Sequence, residues 1–173
     1  MVPPSKPFAG YSYRPNSIAP LPFVVRGLLI VLALGVLAVF AVALRLNPYQ
    51  RDGSPRQLAT HQQLGLPPCS FLEITGYPCP SCGMTTSFSL LIRGDLFAAL
   101  QANWVGALLA GFCLLFVPWA ILGAWLGRTP FIRSLDQALL TVVLVLLLLL
   151  ILRWAVVVGL GWSQGELPIS PYG

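Results

Sequence analysis

The sequence predicts an all-α integral membrane protein with three transmembrane helices and a short amphipathic or re-entrant helix that follows a Cys-Pro-x-Cys-Gly loop. Of its 173 residues, 57% are hydrophobic and only 9% are charged, whereas soluble domains carry about 25% charged residues. The apolar residues are gathered into three segments of about 20 residues, the length that an α-helix needs to cross the hydrocarbon core. We therefore predict one membrane domain, residues 23–162.

The N-terminal end combines a tail with the first predicted span. Six prolines stand among Ser, Gly and Tyr in residues 1–22, and this composition predicts a flexible tail because it cannot bury a core. The first span covers about residues 23–44, and Arg26 and Arg45 bracket its charge-free interior, residues 28–44. Residues 41–43 read Ala-Val-Ala, as in a signal-peptide cleavage site. The long Pro-rich stretch before the span favours an uncleaved anchor.

The second predicted span covers about residues 104–126. Trp104 and Trp125 stand at its two ends, where tryptophans are enriched at the membrane–water interfaces. Pro118 lies inside this segment and predicts a kink or a freed backbone carbonyl, because proline cannot donate the helical hydrogen bond.

The third predicted span covers about residues 139–160, and a flexible tail, residues 163–173, follows it. Arg153 interrupts the apolar pattern near the far end of this span. We expect its long side chain to reach the headgroups. The alternative is a charge with a function inside the membrane.

These segments predict a multi-pass protein of the cell membrane in contact with the lipid bilayer. The ten Lys and Arg residues are scattered singly, so no nucleic-acid partner is predicted. Three spans place the tail and residues 127–138 on one side and the extramembrane region, residues 46–103, on the other. Each side carries five cations, so the positive-inside rule does not determine the orientation of the protein in the membrane. A disulfide in residues 46–103 would indicate an exterior location, which is our expectation.

Residues 77–87, YPCPSCGMTTS, introduce the predicted short helix. Ser81 is the expected N-cap, and Gly94 is the expected stop. Asp95 is expected to cap a second helix that continues into the second span. The apolar face of the short helix follows from four residues at helical spacing: Met84, Phe88, Leu91 and Ile92.

Three cysteines, Cys69, Cys79 and Cys82, lie within fourteen residues, and His61, the single histidine, precedes them. One hypothesis is a metal site, with zinc as the candidate ion, because two thiolates separated by two residues can hold one ion. Four ligands would then require all four of these residues. Cys113 lies in the second predicted span, and we expect it to act as a small apolar packing residue.

Two other hypotheses remain for the same cysteines. Thiol redox chemistry is suggested by the C-P-S-C pair at a helix N-terminus, where the pKa of a cysteine falls. A structural disulfide could instead join Cys69 to Cys79 or Cys82 and contribute about 3 kcal/mol. The structural hypothesis, which includes reduced cysteines that only pack, is the one the sequence favours. All three hypotheses predict that the cysteines lie close together, because Pro78 and Pro80 stiffen the loop.

Residues 69–103, CSFLEITGYPCPSCGMTTSFSLLIRGDLFAALQAN, resemble DUF2752, a family of small bacterial membrane proteins of unknown function. Many members of that family have Arg where this chain has Thr86 and Pro where it has Trp104. The resemblance implies the layout of the second and third spans and no particular chemistry. The positions that carry it are Cys69, Thr75, Gly76, Pro78, Cys79, Pro80, Cys82, Gly83, Thr85, Gly94, Asp95 and Asn103.

The chain contains no paired carboxylates, Ser-His-Asp set, H-E-x-x-H motif or phosphate-binding glycine loop, so the sequence gives little support for an enzyme. The predicted role is an accessory or interaction subunit of a membrane assembly, with other membrane proteins or a second copy of the chain as partners. The alternative is a membrane-embedded thiol-redox or metal-binding protein that uses the CPSCG motif.

Overall fold

A computed structural model describes residues 20–128 and 135–163. Within these ranges the chain is helical, without a β-strand. The predicted tails lie almost entirely outside the described residues. The helices are α1 Phe23–Arg45, a short 3-10 helix Thr60–Leu64, α2 Ser70–Thr75, α3 Met84–Leu91, α4 Leu96–Leu126 and α5 Leu135–Ser163.

Three of these helices are long and apolar enough to cross a membrane: Phe23–Arg45, Leu96–Leu126 and Gln137–Gly161. Large hydrophobic side chains remain exposed along all three, which is expected where lipid rather than protein covers a helix. The predicted fold class, with three spans and a shorter helix beside the cysteines, is therefore confirmed.

The helix α4 consists of two helical segments separated by a kink at Asn103. Asn103 has φ −160° and ψ 101°, so residues 96–102 are separated from the span that begins at Trp104. The Asn103 Oδ1 atom accepts a hydrogen bond from the Gly106 N–H at 3.0 Å, the geometry of an N-cap. The predicted span 104–126 thus begins after this cap. The non-helical residue in α4 is Asn103 rather than Pro118, which lies inside the helix.

Asp95 caps the first part of α4, as predicted. Its Oδ1 atom accepts a hydrogen bond from the Ala98 N–H at 3.2 Å. Gly94 precedes it with a φ of +85°, a left-handed conformation that glycine adopts without a steric penalty. The turn between α3 and α4 therefore follows the glycine-then-cap pattern expected from the sequence.

The helix α3 packs closely on α4 through small residues. A Cβ atom added at Gly106 would lie 2.5 Å from the Ser87 Oγ atom, so glycine permits the two backbones to approach, as at many membrane helix interfaces. The buried residues of α3 are Thr86, Ser87, Ser89 and Leu90. Met84, Phe88 and Leu91 are half-buried, and Phe88 stacks on Phe40 of α1 with 5.6 Å between ring centroids.

Arg93 ties the end of α1 to the end of α3. Its guanidinium donates hydrogen bonds to the carbonyl oxygens of Ala43, Leu44 and Leu46 at 3.1, 2.7 and 2.6 Å. It also donates to the Ser89 carbonyl at 2.7 Å. The last carbonyls of a helix lack intrahelical partners, and a cation near that end is also favourable to the helix dipole. Arg93 thus positions α3 against α1.

Candidate functional site

The cysteine loop, residues 76–83, connects α2 to α3. It closes in a tight turn in which the Cys82 N–H donates to the Cys79 carbonyl and the Met84 N–H donates to the Ser81 carbonyl, each at 3.0 Å. Gly83 has a φ of +83° and occupies the N-cap position of α3. The prediction that Ser81 caps this helix is therefore wrong. Because of this turn, α3 begins at Met84. Cys82 therefore lies in the loop and not in the first turn of the helix.

The side chains of Cys69, Cys79 and Cys82 converge. Their Sγ atoms all lie within 4.8 Å of one another, and the Sγ atoms of Cys79 and Cys82 are 3.2 Å apart. The predicted proximity is confirmed. All four cysteines of the chain are free thiols, so the proposed disulfide is not formed. The three sulfur atoms are close enough to bind one metal ion.

The thiols of Cys79 and Cys82 differ in acidity. Burial acts to raise the pKa of Cys79, but hydrogen bonds with Ser81, Cys82 and Cys69 outweigh it and hold the pKa below its ordinary value. Burial, together with the hydrogen bond to Cys79, raises the pKa of Cys82. Cys79 is therefore the more readily ionised member of the pair, and the thiolate is the form that binds metals and attacks electrophiles.

The break in α4 holds the cysteine loop in place. The Asn103 Nδ2 atom donates a hydrogen bond to the Cys82 carbonyl at 3.0 Å. A Cβ atom at Gly83 would lie 2.5 Å from the Ala102 carbonyl oxygen, closer than real Cβ contacts permit. Only glycine fits at this position with a positive φ. Gly83 and Asn103, singled out by the sequence motif, thus fix Cys82 against the break.

A cavity of about 350 Å³ adjoins the three sulfur atoms. His61 and Glu73 line its wall together with Cys69, Cys79 and Cys82. His61 does not belong to the close group formed by the three sulfurs. The three thiols therefore open on a space that also contains one imidazole and one carboxylate.

A buried pair of threonines fixes the segment that carries His61. The Oγ1 atoms of Thr60 and Thr86 are 2.8 Å apart in a hydrogen bond, and both residues are buried. Thr60 begins the 3-10 helix that includes His61, and Thr86 lies on α3. The sequence contains no local signal for this pairing, because the two residues are 26 positions apart.

Two residues of α5 contact the backbone around the cysteine loop. The Trp154 Nε1–H donates to the Pro78 carbonyl at 3.0 Å, one residue before Cys79. Arg153 donates to the Ala102 carbonyl at 3.1 Å. Arg153 is half-buried and contacts protein backbone, and its expected reach to the headgroups stays a prediction. Sequence reasoning did not connect either residue to the cysteines.

The other residues of the sequence motif surround this arrangement. Thr85 lines the cavity, and Pro80 lies in the turn of the cysteine loop. Cys113 is half-buried in α4 and does not belong to the three-sulfur group. Its predicted role as a packing residue stays a prediction.

The DUF2752 family model, described as a protein of unknown function, matches residues 69–117. The match covers the three clustered cysteines, α3 and α4 as far as residue 117, which supports the resemblance found in the sequence. No curated protein matches the chain, and no solved structure matches it. The family description names no activity, ligand or substrate. The geometry of the site is therefore the basis for a functional inference.

Proposed function

We propose that this membrane protein binds a thiophilic transition-metal ion, with Zn²⁺ as the representative, through Cys69, Cys79 and Cys82. The observation that carries the proposal is the convergence of three Sγ atoms within 4.8 Å of one another. Because Zn–S bonds are about 2.3 Å long, sulfur atoms that share one ion lie roughly 4 Å apart. Cysteine thiolates are soft ligands and select zinc and copper(I) over magnesium or calcium.

Three thiolates leave one position of a tetrahedral ion open. Structural zinc sites have four protein ligands, whereas catalytic sites retain an exchangeable position. The cavity of about 350 Å³ that the three cysteines line would give a fourth ligand access to the ion. His61 lines that cavity and would complete a four-ligand set after moving towards the sulfurs. Without that movement, a water molecule or an external ligand would supply the fourth position.

A second candidate function uses the same thiols for disulfide exchange. The Sγ–Sγ distance of 3.2 Å between Cys79 and Cys82 and the lowered pKa of Cys79 favour it. In this reaction the Cys79 thiolate attacks a disulfide of a partner and forms a mixed disulfide. Cys82 then attacks Cys79, which leaves a Cys79–Cys82 disulfide and releases the partner as a dithiol.

Metal analysis combined with intact mass spectrometry distinguishes the two candidate functions. Protein purified in detergent and saturated with zinc should retain about one ion per chain after desalting, since one cluster of three thiolates provides one site. Its intact mass should not change on reduction. A chain that retains no zinc and gains two hydrogens on reduction would contradict the metal proposal and support disulfide exchange.

We further propose that the protein resides in the cell membrane with residues 46–103 on the exterior side. A membrane-impermeant maleimide applied to intact cells should then label Cys69 or Cys79, which are partly exposed, once bound metal is removed by a chelator. Labelling that requires cell lysis would place the cysteines on the interior side. A C113S variant removes the thiol within the span, so that the signal reports on the cluster.

An accessory role in a membrane assembly is part of this proposal. The most hydrophobic stretch of α5 has no residue buried within the protein. Lipid, another membrane protein or a second copy of the chain therefore covers this helix. The metal site and the exposed span would then serve the same complex.

A further inference from the structure

We infer that Arg153 supplies the positive charge that balances the anionic metal–thiolate centre, a positioning role that rests on the proposed metal function. Three thiolates around a divalent ion carry a net charge of −1. An anionic centre bordering the membrane is unfavourable unless a cation lies nearby. Arg153, on the third span, is the cation that lies next to the C-terminal end of the cysteine loop, where Ala102 meets Gly83.

The geometry places Arg153 beside the loop. Its guanidinium donates a hydrogen bond to the Ala102 carbonyl at 3.1 Å. The same carbonyl oxygen lies against Gly83, since a Cβ atom added there would be 2.5 Å away. Gly83 directly follows Cys82. The Arg153 guanidinium is therefore linked through the Ala102 carbonyl to Gly83, the residue next to Cys82.

The neighbouring residue of α5 fixes the other end of the loop. The Trp154 Nε1–H bonds to the Pro78 carbonyl, and the Trp154 ring packs edge-on against Phe71 of α2, with 6.2 Å between centroids. Trp154 thus contacts the N-terminal end of the loop directly, and Arg153 bonds to the Ala102 carbonyl beside the C-terminal end of the loop.

The charge of Arg153 would act on the cysteine cluster, whose three Sγ atoms lie within 4.8 Å of one another beside the loop that Arg153 borders. Of the carboxylates in this region, Asp95 caps α4, and Glu73 is solvent-exposed on the wall of the cavity. A charge within an apolar span is uncommon and marks a functional partner by default. Here that partner is the cysteine cluster.

A purely structural role is the competing explanation, because the break at Asn103 frees the Ala102 carbonyl that Arg153 satisfies. Two substitutions separate the roles. Arg153→Gln retains a hydrogen-bond donor without a charge, and Arg153→Lys retains the charge. We expect R153Q to weaken zinc binding about 10- to 100-fold, the usual effect of removing a residue that supports a metal ligand. R153K should stay within about threefold of the parent protein, because the charge remains.

A second readout does not require metal. In reduced, metal-free C113S protein, the rates of alkylation of Cys79 by iodoacetate and by iodoacetamide are compared by mass spectrometry. The anionic reagent is attracted by a local cation, whereas the neutral reagent is not. We expect the iodoacetate-to-iodoacetamide ratio to fall about tenfold in R153Q and to persist in R153K. In the C113S parent, added salt should lower the iodoacetate-to-iodoacetamide ratio, because salt screens the attraction between the anionic reagent and a nearby cation. This measurement tests for a positive charge near Cys79 even if R153Q does not fold.

The possible outcomes are distinct. Equal ratios in R153Q, R153K and the C113S parent, or a salt-independent ratio in that parent, would overturn the assigned role of Arg153. Failure of the wild-type protein to bind zinc would contradict the proposed function, while the alkylation ratio would still report on the charge. Folding of each variant is checked by its elution as a single species in detergent.

Discussion

Replacing Cys82 with serine should reduce the zinc content of the purified protein from about one ion per chain to near zero. In the proposed site Cys82 would be one of three ligands: its Sγ atom lies 3.2 Å from that of Cys79, and its carbonyl accepts a hydrogen bond from Asn103. A serine hydroxyl is not ionised at neutral pH and does not replace a thiolate. Two thiolates then remain, which is too few for a stable site. Metal content is measured after desalting by elemental analysis.

The matched control is Cys113→Ser, which removes a cysteine from α4 outside the three-sulfur group. Its zinc content should equal that of the wild type. His61→Ala serves as a second comparison, because His61 lines the same cavity. A modest loss of affinity in H61A would indicate that the imidazole completes the ligand set. Full zinc retention in C82S would contradict the proposed site.

The membrane architecture could be predicted because its determinants are local. Span length follows from the number of consecutive apolar residues, and the predicted limits 23–44 correspond closely to α1 Phe23–Arg45. Asp95 was predicted as a cap for a similar reason: an N-cap is recognised from the residues that follow it directly. The proximity of the cysteines followed from stiff prolines within one short stretch.

The support of the site could not be predicted, since it comes from contacts distant in sequence. Thr60 meets Thr86 across 26 positions, and Arg153 reaches Ala102 across 51. The error at Ser81 has the same origin. Its side chain is a good cap in isolation, but the Ala102 carbonyl lies so close to Gly83 that only a glycine with a positive φ fits there. That contact sets where α3 begins.

Gly83 offers the second large effect. Substitution by alanine should destabilise the protein by roughly 4 kcal/mol or more, since a clash with backbone adds to the cost of a left-handed residue. The new Cβ atom would lie 2.5 Å from the Ala102 carbonyl oxygen and 3.0 Å from that of Gln57. Neither oxygen belongs to a flexible side chain. The cysteine loop would have to move away from α4, and the hydrogen bond between Asn103 and Cys82 would be lost.

Gly94→Ala is the matched control, because it separates the clash from the backbone conformation. Gly94 has a φ of +85°, close to the +83° of Gly83, but nothing lies within 4 Å of its added Cβ atom. Only the left-handed conformation is then penalised, at about 1 to 2 kcal/mol. Thermal unfolding in detergent should rank the proteins wild type, G94A and G83A in decreasing stability. G83A should also lose zinc, whereas G94A should retain it. Equal stability of the two variants would mean that the loop can move away from Ala102 without a cost in free energy, which would contradict a rigid support for Cys82.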